Sequence, residues 1–227
     1  MSDYRCMWTG LGLDLDRHDS LLELLGQGYA QAFLSQQNRP EGMKYFDFVV
    51  SEAHGLRIKE LVEHKSKGGT VVGTFCVYVP EDVILAAGGI PVGLCAGADF
   101  AVADSDGLIP RNTCPLIRAS LGFKMNRTCP YIQASDFVVG ETTCDGKKKM
   151  FEAMAEQHPT YIMEVPQKKT AAARDLFISE VKAFVSKMES ESGRKISADQ
   201  LAEATRRLEA KKAALRRLHE ARKADPV

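Results

Sequence analysis

The stretch Thr70–Cys95, TVVGTFCVYVPEDVILAAGGIPVGLC, decides the fold. It opens on an apolar, β-rich run, TVVGTFC, which predicts a buried strand. Pro80 then starts, and Gly88 with Gly89 ends, a helix-length segment, PEDVILAAGG; proline in and glycine out is the asymmetry of a helix. A second apolar run, IPVGLC, follows at once. Strand, helix, strand at this spacing implies a βαβ unit with parallel strands. The alternation continues downstream, with CPLIRASLGF (Cys114–Phe123) as helix, DFVVGETTC (Asp136–Cys144) as strand, DGKKKMFEAMAEQ (Asp145–Gln157) as helix and TYIMEV (Thr160–Val165) as strand. The expected class is α/β, a parallel four-stranded sheet with flanking helices of the flavodoxin or Rossmann kind. No GxGxxG motif is present, so the dinucleotide fingerprint is absent.

Outward from this region, residues 1–67 predict an N-terminal helical segment. SLLELLGQGYAQAFLSQ and FDFVVSEAHGLRIKELVEHKSKGG both carry apolar residues at three- and four-residue intervals, and Gly68–Gly69 end the second. Residues 68–166 hold the α/β domain. Residues 167–227 predict a polar helical arm. Ser197–Gln200, SADQ, is a capping box that opens a long helix. Leu201, Ala204, Leu208, Leu215 and Leu218 make a narrow apolar stripe, suited to packing by one face or to reaching another domain or subunit.

Lysine plus arginine and aspartate plus glutamate both total 30, so no net charge points to nucleic acid. The apolar runs are too short or too broken by glycine and proline to span a bilayer, and MSDYRCMWTG lacks a signal pattern. A cytoplasmic location with reduced thiols is expected. That bears on the six cysteines, Cys6, Cys76, Cys95, Cys114, Cys129 and Cys144. None forms a CxxC pair and no histidine lies near them, which argues against the usual zinc sites. In an open parallel sheet ligands gather at the carboxyl ends of strands, and Cys76, Cys95 and Cys144 fall at three such ends. Cys114 and Cys129 precede prolines and Cys144 precedes DGKKK, so each is a candidate helix N-cap. Helix N-termini stabilise thiolate, the form that ligates iron. Lys147, Lys148 and Lys149 in a first helical turn oppose the helix dipole; either a negative group offsets them or they point to water. Plain burial is the rival role for Cys95 and, less so, for Cys76; Cys6 lies in a segment expected to be mobile. Glu81, Glu141 and Asp145 stand near the rim, where acidic residues are also ordinary helix-start chemistry.

GTFCVYVPEDVILAAGGIPVGLCAGAD, LIPRNTCPLIRASLGF and DFVVGETTCDGKKKMFEAM together resemble the D-component family of 2-hydroxyacyl-CoA dehydratases, which also takes in the cluster subunits of benzoyl-CoA reductases. The resemblance runs from about Asp47 to about Pro226. It implies that Cys114 and Cys144 bind a [4Fe–4S] cluster, with a further cysteine from a second α/β domain. Cys76 in FCVYVPED, Cys129 in TCPY and the ETTCDGKKKM run are similar to the double-cubane branch, in which two cubanes share a sulfide ([8Fe–9S]). On that reading Cys76, Cys114, Cys129 and Cys144 are all metal ligands, and a second domain supplies the rest. The family's subunits are longer, so the chain is expected to be an N-terminal half.

The resemblance further implies an ATP-dependent activator protein as electron donor, and a homodimer or a paralogous subunit as partner. The function the resemblance implies is that of an iron–sulfur redox protein of the double-cubane type, which takes low-potential electrons from the activator and reduces a small molecule or acyl-CoA; two alternatives stand beside it. A dehydratase subunit instead expels hydroxyl from a 2-hydroxyacyl-CoA through a ketyl radical. A non-catalytic fragment would only bind a partner chain. No acid or base is assigned.

Overall fold

The computed structural model describes residues 4–94 and 97–224. Helices α1 (Arg5–Gly10), α2 (Leu15–Tyr29), α3 (Met43–Ser51) and α4 (Leu56–Ser66) precede the sheet. Then come β1 (Val71–Thr74), α5 (Glu81–Ala86), β2 (Ile90–Gly93), a 3₁₀ segment (Asp99–Ser105), α6 (Pro115–Met125), α7 (Pro130–Ala134), β3 (Phe137–Glu141), α8 (Asp145–Ala155) and β4 (Thr160–Met163). Two long helices, α9 (Ala171–Ser192) and α10 (Ala198–Ala221), follow. The strands form one parallel sheet in the order β2-β1-β3-β4, the α/β architecture expected from the sequence, with helices at both ends of the chain.

Alternation along the strands divides the core in two. Val71 and Val138 face Leu21, Ile58, Leu61, Leu121, Ile132, Met150 and Phe151 from α2, α4, α6, α7 and α8. Val72, Phe137 and Val139 face Val83 and Ile84 of α5 and Phe184 and Met188 of α9. β1 and β3 are adjacent, yet β1 leads into α5 on one face and β3 into α8 on the other. A chain that leaves neighbouring strands in opposite directions opens a crevice at their carboxyl ends, the topological switch point of such sheets.

Two expectations need correction, and one falls outside the described residues. The strands are shorter than their apolar runs, so Cys76 lies in the loop two residues beyond β1 rather than at its end. Cys95, expected to close the second strand, lies outside the described residues. The second N-terminal helix is two helices, α3 and α4, with a turn between. There the Trp8 indole N–H donates to the His54 carbonyl at 2.8 Å, and the Tyr4 ring fills the space where Gly55 would carry a side chain. Cys6, expected to be mobile, is exposed on α1.

The capping box at Ser197 forms with Gln200. Along α10 only the upper part of the apolar stripe packs: Ala204 is buried, whereas Leu215 and Leu218 remain exposed. Lys211 pairs with Glu81 at the start of α5. On the opposite side of the sheet, α6 lies hard against the 3₁₀ segment. A Cβ on Gly122 would stand 1.8 Å from the Ala101 carbonyl oxygen. Gly122→Ala is therefore expected to cost about 1–3 kcal/mol through overpacking, read as a lower urea midpoint at unchanged slope.

Candidate functional site

All three cysteines take the expected N-cap positions, Cys114 before Pro115 of α6, Cys129 before Pro130 of α7 and Cys144 at the start of α8, but only Cys144 makes a side-chain cap bond. The Lys147 backbone N–H donates to Cys144 Sγ at 3.5 Å, within the limits of a sulfur acceptor. The first turns of α6 and α8 touch: a Cβ on Gly146 would meet Ile117 at 2.9 Å and Thr113 at 3.3 Å. Cys114 and Cys144 thus start two packed helices. Cys76 joins them from β1, whose Thr74 is in register with Val139 of β3. Cys114 and Cys144 are exposed and Cys76 is half-buried. These thiols stand on the loops after β1 and β3 and at the start of α6, the carboxyl end of the sheet where such folds place their ligands.

Cys129 has a different environment. It lines a cavity of about 440 Å³ with Leu25, His54, Leu94, Phe123 and Tyr131, on the face covered by α2 and α7. Burial pushes its thiol pKa up, against backbone N–H groups of Ile132 and Tyr131 that favour thiolate. His54 at this cavity sits 3.0 Å from the buried His18, ring nitrogen to ring nitrogen. Burial, then the charge His18 would carry, lowers the His54 pKa to about 4. An imidazole held neutral in the fold favours the native state above its unfolded pKa of about 6.5, and that contribution is lost as pH falls toward 4. Urea unfolding at pH 7 and pH 4.5 should differ by about 2–3 kcal/mol from this group, and the difference should shrink in His54→Asn.

Between Cys76 and Cys144 lies a charge pair that sequence reasoning did not find. Glu141, the last residue of β3, is fully buried. The Lys147 ammonium donates to its Oε1, Thr143 Oγ1 approaches the same oxygen at 3.4 Å, and Oε2 has no partner. Burial opposes the charge on Lys147, but Glu141, with lesser help from Cys76 and Cys144, holds its pKa above the ordinary lysine value. The lysine run is therefore split. Lys147 turns inward, while Lys148 pairs with Asp145 and Lys149 with Glu152 at the surface. The offset for Lys147 at the helix start is a carboxylate of the chain itself. The remaining acidic candidates are surface partners, Glu81 of Lys211 and Asp145 of Lys148.

Among the described residues no three His, Cys, Asp or Glu side chains close tightly enough to hold a metal ion by themselves. In donor type these thiols suit a thiolate-ligated iron–sulfur group. Among the described residues no helix is long and apolar enough to cross a membrane.

Fold and site together define a doubly wound α/β domain with cysteines gathered at its switch point. The sequence model for the family described as "2-hydroxyglutaryl-CoA dehydratase, D-component" matches residues 76–227, and the chain belongs to that family. It is 41% identical over 155 residues to a protein of Escherichia coli (strain K12) described as putative dehydratase subunit YjiM, covering 68% of this chain and 40% of that one. It is 27% identical over 151 residues to the (R)-phenyllactyl-CoA dehydratase beta subunit of Clostridium sporogenes, covering 64% and 39% respectively. The chain thus spans about two-fifths of the length of these curated relatives.

Proposed function

We propose that this chain is the cluster-binding part of a 2-hydroxyacyl-CoA dehydratase-type subunit, with Cys76, Cys114 and Cys144 as iron–sulfur ligands. The observation that carries the reading is the gathering of these thiols from three separate loops at one sheet edge. The exposure of Cys114 and Cys144 leaves room for further ligands, which a second α/β domain supplies. When bound, a cluster there supplies one low-potential electron to the thioester carbonyl of a 2-hydroxyacyl-CoA or to a small molecule. The chain's own residues hold and orient. The start of α8 presents Cys144 with a backbone N–H on its sulfur, α6 presents Cys114, and the loop after β1 brings Cys76. A partner subunit and an ATP-dependent activator complete the cycle.

In the double-cubane form Cys129 joins the ligand set, which requires it to turn out of its cavity. Anaerobic reconstitution with iron, sulfide and excess small thiol, followed by iron and sulfide counts, tests the reading. About four irons per chain is expected, since a cubane takes four thiolates and the small thiol completes the set. About eight assigns the double cubane. An iron-free chain overturns the proposal and leaves a fragment that serves only to bind a partner.

A further inference from the structure

Lys147 is the one lysine of the KKK run that the fold carries inward. Its side chain is 18% exposed, against 45% and 62% for Lys148 and Lys149. The anchor is Glu141 at the end of β3, a carboxylate with no exposure whose second oxygen is unpartnered. An ammonium has three N–H donors. Among the described residues Glu141 is the sole hydrogen-bond partner of this one. Two donors and the charge remain, the same residue's backbone N–H lies 3.5 Å from Cys144 Sγ, and negative charge on Cys76 or Cys144 favours the ammonium.

A surface lysine in this turn would be solvated and screened. Pinning it to a buried carboxylate fixes its place. The pair is neutral as a unit but oriented, with its negative end inside the strand terminus. We propose that Lys147, held by Glu141, is a positioning residue that presents a fixed positive charge to the Cys76–Cys144 edge and so selects anionic occupants there. For its purpose the inference rests on the cluster reading: a thiolate-ligated cluster is anionic, and a fixed cation beside it favours acceptance of an electron.

The test needs no iron. In the anaerobic, iron-free chain, alkylation rates of Cys76 and Cys144 are measured by peptide mapping with iodoacetate, an anion, and iodoacetamide, its neutral counterpart. Thiolate fraction and access cancel in the ratio of the two rates, which leaves the local field. The ratio at Cys144 and Cys76 is expected to exceed that at Cys6 several-fold and to fall as salt rises. It should drop at least two-fold in Glu141→Gln/Lys147→Met, which removes both charges without stranding either, and be retained in Lys147→Arg. An unchanged ratio in the neutral double variant, with circular dichroism showing the native fold, overturns the inference. A drop in Lys147→Arg equal to that of the double variant also overturns it, because the effect would then be packing and not charge. The iron count tests the cluster reading separately, so either result can fail alone. If the chain takes up iron, whatever cluster the double variant retains should titrate at a lower reduction potential than the parent's.

Discussion

Replacing Cys144 with serine is expected to abolish most of the iron and sulfide retained after anaerobic reconstitution and desalting. Serine keeps the cap, because its hydroxyl also accepts from the third N–H of a helix, so α8 should persist. It removes the thiolate that a cubane requires. Cys114→Ser should act in the same direction, since that residue starts the helix packed against α8. Cys6→Ser should leave the count unchanged, because Cys6 lies exposed on α1, outside the crevice. Loss in Cys6→Ser equal to that in Cys144→Ser would mean that iron binds nonspecifically to exposed thiols. Circular dichroism of each apo variant separates loss of ligand from loss of fold.

The second large effect is on stability. Lys147→Met strands the Glu141 carboxylate in the core, with one oxygen already unpartnered. Breaking a buried pair from one side costs about 3–5 kcal/mol, which for a chain of this size lowers the melting temperature by roughly 10 °C. Adding Glu141→Gln should return most of that loss, because a neutral amide needs no counter-charge. The four proteins make a double-mutant cycle whose coupling term reports the pair. A Lys147→Met chain that melts with the parent would show that water reaches Glu141 and that the pair is not buried in solution.

The alternation of strands and helices was legible because its punctuation is local. Pro80, Gly88 and Gly89 bound α5, and the Cys-Pro pairs start α6 and α7. These signals act within a turn and need no tertiary partner. Strand order was not legible: periodicity tells which residues are buried but not which strand is the neighbour, so the switch point between β1 and β3 emerged only from the pairing. The break between α3 and α4 escaped for a similar reason. The apolar spacing runs through it, and what interrupts it is Tyr4 and Trp8, some fifty residues upstream.

The Glu141–Lys147 pair left a faint trace that could have been read. The run FVVGE ends a fully buried strand in a carboxylate, and a carboxylate buried in such a place calls for a cation. Lys147 stood six residues on as an unexplained charge at a helix start. The two anomalies cancel, but only once the turn between them is folded. Cys129 was legible as a cap and not as a lining of the cavity beside His54, since the wall opposite it comes from α2.

β1 and β3 are joined by a parallel hydrogen-bonded ladder, and neighbouring strands in such a ladder stand about 4.8 Å apart. The loops bearing Cys76 and Cys144 therefore spring from a hinge-free base, like jaws cut from one plate. They cannot part by sliding the strands, which would tear the centre of the sheet. Any change in the spacing of the two thiols has to come from the loops after β1 and β3, because the strands beneath them are held in register.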